Sequence, residues 1–357
     1  MSSASTGAYI AKIALLKLAL AMAVLALAHA APAMAQPSVA DFYRGKSIDL
    51  VIGYSTGGGY DAYARLVGHF IGAHIPGNPN IIPKQMVGGG TRIAAGWVYN
   101  VGPKDGTVLA TADQSTPVQQ AIGDPTIHFD AAKFNWIGNP TADNNTATSW
   151  HMSGVRTIED ARRIPIAFAG AGINISSQLA QALNTVAGTK FKIVLGYPGS
   201  NEMSLALERG EAGAMTNTWA SWKANTPDWI RDKKIHVLVQ MGLTKMAELP
   251  DAPLLIDLAA NELDRKALYL LSAAATLGRP LFTSPAVPPE RVKALRDAFE
   301  ATMKDPAFLD AAARAGLDIN PVSGEMLQKV VVEAVASPKA VADRLAEIIA
   351  LPDQEKR

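Results

Sequence analysis

Residues 47–74 read SIDLVIGYSTGGGYDAYARLVGHFIGAH, and their reading decides the fold. Ile48, Leu50, Val51 and Ile52 form an apolar run that ends in Gly53-Tyr54-Ser55-Thr56-Gly57-Gly58-Gly59. Beyond the glycines, Ala62, Leu66, Val67, Phe70 and Ile71 recur at spacings of three and four, the period of a helix face. The order is strand, glycine turn, helix. Consecutive glycines let the backbone take positive φ and turn its N–H groups toward one point. A helix starting there adds unpaired N–H groups and the positive end of its dipole. The stretch therefore predicts an anion site that needs no cationic side chain, for a phosphate, a carboxylate or a reaction oxyanion.

A chain of 357 residues can form two domains with their own cores. Residues 1–36 are set apart as a secretory signal: Lys12 and Lys17 precede a short apolar run over 18–28. Ala33-Met34-Ala35 predicts cleavage after Ala35, with Ala28-His29-Ala30 as the alternative. The competing reading, a membrane anchor, is opposed by the shortness of the run and by Pro32 close behind it. No later stretch offers the roughly 18 uninterrupted apolar residues of a membrane span. The expected mature protein is exported, and the absence of thiols is compatible with the periplasm.

Cysteine is absent, which excludes disulfides, a thiolate nucleophile and Cys-type zinc sites. Formal charge is +1, from 33 basic and 32 acidic residues. Losing Lys12 and Lys17 with the signal leaves 31 against 32, a net −1. A near-neutral chain with 6% aromatics argues against nucleic acid as a partner.

Along the chain, residues 41–46 read as a polar lead-in. Residues 81–87 read as a second strand that Pro83 confines to a sheet edge. Gly88-Gly89-Gly90 is a second glycine turn, before a helix over 91–100 with Thr91 as its N-cap. Residues 107–111 read as a strand, and Gln114-Ser115-Thr116-Pro117 opens a short helix. Residues 134–138 and 146–152 read as extended, and the polar connector between them is where the chain crosses to a second domain. There, Thr157-Ile158-Glu159-Asp160 predicts a capped helix start, 164–169 a strand, Gly170-Ala171-Gly172 a third glycine turn and 176–187 a helix. Residues 268–276 return the chain to the first domain, and a helical block closes it. The expected domains are 37–141 joined by 268–357, and 142–267. Alternating strands and helices imply an α/β fold with mostly parallel sheet.

Gly53-Tyr54-Ser55-Thr56-Gly57 matches the G-x-S-x-G of a nucleophile elbow, so a serine hydrolase at Ser55 is one reading. The last histidine, His236, lies far from the chain end, and no earlier unit supplies an oxyanion loop. His69, His74, His128, His151 and His236 form no metal-binding spacing, so no metal is expected. There is no G-x-x-x-x-G-K-[ST] and no dinucleotide spacing after either glycine turn, so no cofactor is expected. What remains are neutral hydrogen-bonders at helix starts, among them Ser55, Thr56, Asn174, Ser176, Ser177 and Ser200. They lie where loops leave the C-terminal ends of strands, the place where open α/β sheets bind ligands.

In their order and spacing these stretches resemble the substrate-binding proteins of tripartite tricarboxylate transporters, the Bug-type family. The carriers of the resemblance are residues 48–65, IDLVIGYSTGGGYDAYAR, then Val87-Gly88-Gly89-Gly90, Pro103-Lys104-Asp105-Gly106-Thr107, Phe168-Ala169-Gly170-Ala171-Gly172, Tyr197-Pro198-Gly199 and Gly210-Glu211-Ala212. The resemblance implies a two-lobed type II periplasmic binding protein, a Venus flytrap with crossing hinge strands. It implies a receptor rather than an enzyme, holding a dicarboxylate, a tricarboxylate or an amino acid. The receptor would hand that ligand to a membrane permease; a sensory protein signalling to a membrane partner is the alternative. By position, one half of the clamp is Ser55, Thr56, Gly57, Gly58, Gly59, Tyr60 and Asp61. The other is Gly170, Ala171, Gly172, Asn174, Ser176 and Ser177, with Tyr197, Gly199, Ser200 and Asn217 beside it. Thr56 stands where the family has proline, and Gly213 and Asn217 where it often has Asp. Fewer acidic groups near Asn217 suit a dianion over an amino acid. Asp61 is expected to hold the loop rather than touch an anion, or else to meet an ammonium.

Overall fold

The computed structural model describes residues 38–351 together with Lys17. The expected signal segment and its cleavage site otherwise lie outside the described residues. Among those residues no helix is long and apolar enough to cross a membrane.

The chain opens with α1 (Val39–Tyr43), where a polar lead-in was expected, and enters β1 (Ser47–Ile52). Then come α2 (Gly59–His74), β2 (Asn80–Gln85), α3 (Arg92–Asn100), β3 (Val108–Thr111), α4 (Thr116–Ala121) and β4 (Asn135–Asn139). After the crossing follow β5 (Asn145–Trp150), α5 (Ile158–Arg163), β6 (Ile166–Gly170), α6 (Ile175–Ala187), β7 (Phe191–Leu195) and α7 (Ser200–Glu208). Next are β8 (Ala214–Thr218), α8 (Trp219–Asn225), α9 (Pro227–Arg231) and β9 (Ile235–Met241). The chain ends with α10 (Glu262–Leu277), β10 (Leu281–Thr283), α11 (Pro289–Thr302), α12 (Pro306–Arg314), β11 (Val322–Ser323), α13 (Gly324–Val335) and α14 (Lys339–Ile349).

The strands form two sheets, β11-β4-β10-β3-β1-β2 and β7-β6-β8-β5-β9. Each centres on a parallel set: β1 pairs with β2 and β3, and β6 with β7 and β8. The other pairings are antiparallel, so the sheets are mixed rather than mostly parallel. The cause is the crossing: β5 arrives from the other sheet against β8 and β9, and β10 returns against β3 and β4. Pro83 sits in β2, at an edge of the first sheet, where its missing N–H costs no ladder bond.

Each sheet has its own apolar core. Leu50, Ile52, Val67, Ile71, Leu295 and Phe299 pack one face of the first sheet, and Val51, Ala110, Trp136, Phe282 and Leu327 the other. Phe168, Leu179, Leu183, Val239 and Met241 pack the second. Residues 268–276 are helical, and Leu268 and Leu271 of α10 join this second core with Leu345 and Ile348 of α14. The C-terminal block is thus shared: α11 and α13 cover the first sheet, while α14 packs on α6 and α10. An apolar stripe selects whichever face it can bury, and no sequence period says which sheet offers it. The two crossings meet at Asn139, fully buried at the end of β4. Its Oδ1 accepts from Thr141 N at 3.1 Å on the outgoing path and from Arg279 N at 3.0 Å on the return, and its Nδ2 donates to Thr276 O.

Candidate ligand site between the lobes

A cavity of about 60 Å³ lies where the loops of both sheets meet. The first wall is the start of α2. Its N-cap, Gly58, supplies no side chain, and Gly58 and Gly59 line the cavity with the unpaired N–H groups of a first turn. The facing wall is the start of α7, whose N-cap Gly199 is likewise uncapped and lines the cavity with Ser200. A third helix, α6, begins at Asn174, which makes a capping box with Ser177. Three positive helix ends thus face one space.

Across this space the lobes touch directly. Ser55 Oγ donates to Glu202 Oε2 at 2.9 Å, Asn174 Nδ2 donates to the Tyr54 hydroxyl at 2.9 Å, and Asn201 Nδ2 donates to Thr56 O at 3.3 Å. The Tyr54 hydroxyl in turn donates to Asp113 Oδ2 at 2.7 Å. Burial, then the Asp113 charge, pushes the Tyr54 phenol well above its ordinary range, so it stays a donor. This is a closed arrangement.

The cavity brings together Ser55, Gly58, Gly59, Tyr60, Ala171, Asn174, Ser176, Gly199, Ser200 and Asn217 from the expected clamp. The other seven expected residues stand outside its lining, each for a local reason. Asp61 turns under the loop: its carboxylate accepts from Gly57 N at 2.9 Å, from Arg65 Nε at 2.8 Å and from Gln85 Nε2 at 2.6 Å. Gly57 is occupied by that bond, and Thr56 offers its carbonyl to Asn201 at the rim. Gly170 lies against Leu195, and Gly172 abuts the backbone of Gly90. Ser177 donates to Gly172 O at 2.7 Å, and Tyr197 packs against the Trp150–Met215 cluster. Thr91 also departs from its expected role. It holds the N-cap position of α3, but at φ 74° its side chain makes no capping bond, and its Oγ1 accepts from Asp113 N at 2.8 Å.

Ser55 has only Glu202 as a hydroxyl partner, and no histidine lines the cavity. The G-x-S-x-G serine therefore lacks the histidine of a hydrolase triad, and its hydroxyl makes a lobe-to-lobe contact. Among the described residues no group of three or more His, Asp or Glu could hold a metal ion.

Sequence reasoning missed the residue that gives the cavity its charge. Arg279 is 3% exposed and lines the cavity. Its Nη2 donates to the hydroxyls of Thr218 and Ser221, while Nε and Nη1 have no hydrogen-bond partner. The guanidinium lies over the rings of Tyr63 and Tyr60, 4.8 and 5.8 Å from their centroids. A buried cation with no direct ion-pair partner is costly, and its free N–H groups leave it able to take an anion in the cavity. One signal was in the sequence: Arg279 is the only charged side chain between Lys266 and Glu290. The remaining unanticipated lining includes Tyr54, Asp113, Gln114, Asn145, Thr218 and Ser221.

Asp143 stands near this cation without an ion pair to it. Burial raises its carboxyl above the usual range, and Ala220 N and Arg279 offset that only in part. A raised carboxyl stabilises the fold at acid pH and loses that contribution as pH rises through the folded value. Asp143→Asn is therefore expected to melt higher than wild type at pH 7, with the gap closing toward pH 4. Equal melting temperatures at pH 7 would remove Asp143 from the electrostatic account.

Comparison with known proteins agrees with this architecture. Residues 74–346 match the model of the tripartite tricarboxylate transporter family receptor, and the chain belongs to that family. It is a solute-binding receptor with a two-lobed periplasmic binding protein fold. A UPF0065 protein encoded in the gbd 5′ region of Cupriavidus necator is 26% identical over 317 residues, covering 86% of this chain and 89% of the relative. Periplasmic binding protein BugD superposes with a TM-score of 0.69 at 18% identity, over 86% of this chain and 98% of that one. MatC from Rhodopseudomonas palustris, solved with malate, gives 0.66 at 17% identity over 85% and 99%. A second R. palustris protein, solved with adipate, gives 0.65 at 18% identity over 85% and 97%.

Proposed function

We propose that this receptor captures a small organic acid between its lobes in the periplasm and delivers it to the membrane permease of a tripartite transporter, without catalysing a reaction on it. The observation that carries the reading is the buried, unpaired Arg279 guanidinium facing the same cavity as the uncapped starts of α2 and α7. The similar structures that hold malate and adipate support a carboxylate as the anion. The lobes in this reading are 37–141 with the return through β10 to α13, and 142–267 with α10 and α14 packed on it. The N-terminal signal directs export and is cleaved after Ala35. The ligand bridges both lobes and so favours the closed state over the open one.

Dialysed protein should rise in melting temperature with an organic acid from a panel of monocarboxylates, dicarboxylates, tricarboxylates and amino acids. A ligand at 100 times its Kd adds about 2.7 kcal/mol by mass action, a shift of several degrees for a chain of this size. A flat response across the panel would overturn the reading.

A further inference from the structure

Gln114, in the loop after β3, and Asn145, the first residue of β5, are 1% and 2% exposed, and both line the cavity. Gln114 Nε2 donates to Asn145 Oδ1 at 2.8 Å, which leaves Gln114 Oε1 and Asn145 Nδ2 without partners. Turning both amides over changes which residue keeps the free oxygen, but the pair still presents one acceptor and one donor. A hydroxyl, which donates once and accepts, answers both. An ammonium leaves the free N–H unmet, and a keto oxygen leaves the free C=O unmet. Asp113 lies beside this pair in the lining and is fully buried, its carboxylate already accepting from Tyr54 and Ser115. Among the described residues it is the only acidic one in the lining, and Arg279 the only basic one.

Arg279 is close to this pair: Asn145 stands opposite Thr218 in the β5–β8 ladder, and the Thr218 hydroxyl accepts from Arg279 Nη2. Arg279 stands by the start of α2, since a Cβ built on Gly59 would fall 2.9 Å from its Nη2. Gly58 stands by Ser200, since its Cβ would fall 2.8 Å from Ser200 Oγ. The guanidinium, the starts of α2 and α7 and the neutral donor–acceptor pair thus border one small space, which the Asp113 carboxylate also lines. A second carboxylate in a space of about 60 Å³ would meet the buried Asp113 charge, and like charges repel strongly there.

We propose that the ligand is a hydroxy-monocarboxylate, its carboxylate held by Arg279 and the α2 start and its hydroxyl by the Gln114–Asn145 pair. The assignment rests on the carboxylate-receptor reading and narrows it to a monoanion carrying a neutral hydrogen-bonding group. The family relatives solved with dicarboxylates make this a choice the site must show on its own.

The test is calorimetric titration of dialysed protein with lactate and 3-hydroxybutyrate, their deoxy counterparts propanoate and butanoate, and the dicarboxylates malate, succinate and adipate. The better hydroxy acid should bind about tenfold or more tighter than its deoxy counterpart, because a buried polar pair built for a hydroxyl is left unmet without one. It should also bind more tightly than every dicarboxylate. Gln114→Leu should bring the hydroxy and deoxy affinities together while propanoate and butanoate keep theirs. Asn145→Ala gives the same readout independently if that variant fails to fold. Arg279→Gln should weaken every carboxylate by roughly 100-fold. A dicarboxylate binding as tightly as the best hydroxy acid overturns the proposal and leaves the carboxylate reading standing. So does a hydroxy-to-deoxy ratio that neither amide variant changes. Absence of binding by every acid overturns both.

Discussion

Gly59→Val is expected to leave the chain folded and to prevent the lobes from closing on a ligand. Gly59 is the first residue of α2 and carries no positive φ, so the backbone accepts a side chain there. Losing a glycine at a helix start removes unfolded-state freedom rather than a contact, which keeps fold stability near wild type. The obstacle is across the cleft: a Cβ at this position would collide with the Ser221 hydroxyl and crowd Arg279 Nη2 at 2.9 Å. Ser221 belongs to α8, on the second sheet's side, so the clash arises only in the closed arrangement. Overpacking of this kind costs about 3 kcal/mol, which is roughly 100-fold in Kd. Melting temperature and ligand titration read the two halves separately. Unchanged affinity in a folded Gly59→Val protein would place the ligand elsewhere.

Gly278→Ala is expected to act on the fold itself. Gly278 ends α10 at φ 54° and ψ −105°, a backbone state that L residues rarely adopt. An added Cβ would collide with the Thr141 carbonyl oxygen and stand 2.6 Å from Asn139 Nδ2. Its own carbonyl accepts from the Tyr60 hydroxyl at 3.1 Å, and the next residue is Arg279. Strain and steric conflict fall on one buried atom, so a loss of about 3–4 kcal/mol is expected in urea unfolding. A change below about 1 kcal/mol would mean that the crossing relaxes freely, since substitutions at unremarkable sites fall within that range.

The sequence carried the local grammar of this chain well. Apolar periodicity set out β1 and α2, Pro83 marked β2 as an edge, and the capping box over Thr157 and Asp160 started α5 as read. Each is decided within a few residues, where side-chain type and backbone geometry are tied. The glycine and hydroxyl pattern also led to much of one cavity, because helix starts after strand ends must face the same side of a sheet. Arg279 was beyond that grammar. It stands 220 positions from Gly59 in the chain, and nothing local distinguishes a buried arginine from a solvated one. Asp113, Gln114 and Asn145 were hidden for the same reason, since their meaning depends on which sheet faces which. The packing of α14 on the second core is a choice between two apolar surfaces that its own sequence does not contain.

Asn139 has a mechanical consequence. Because one side chain fastens both crossings, a lobe swinging about it behaves as a lever with its fulcrum at the end of β4. Arg279 is bonded to that fulcrum through its own backbone N–H, so it travels little during the swing. Asn201 and Thr56, at the rim, travel furthest. Capture should then run in sequence: the anion lands on a nearly stationary guanidinium, and the rim shuts afterwards. In stopped-flow records this order gives a first phase that scales with ligand concentration and falls with salt, followed by a second that does neither.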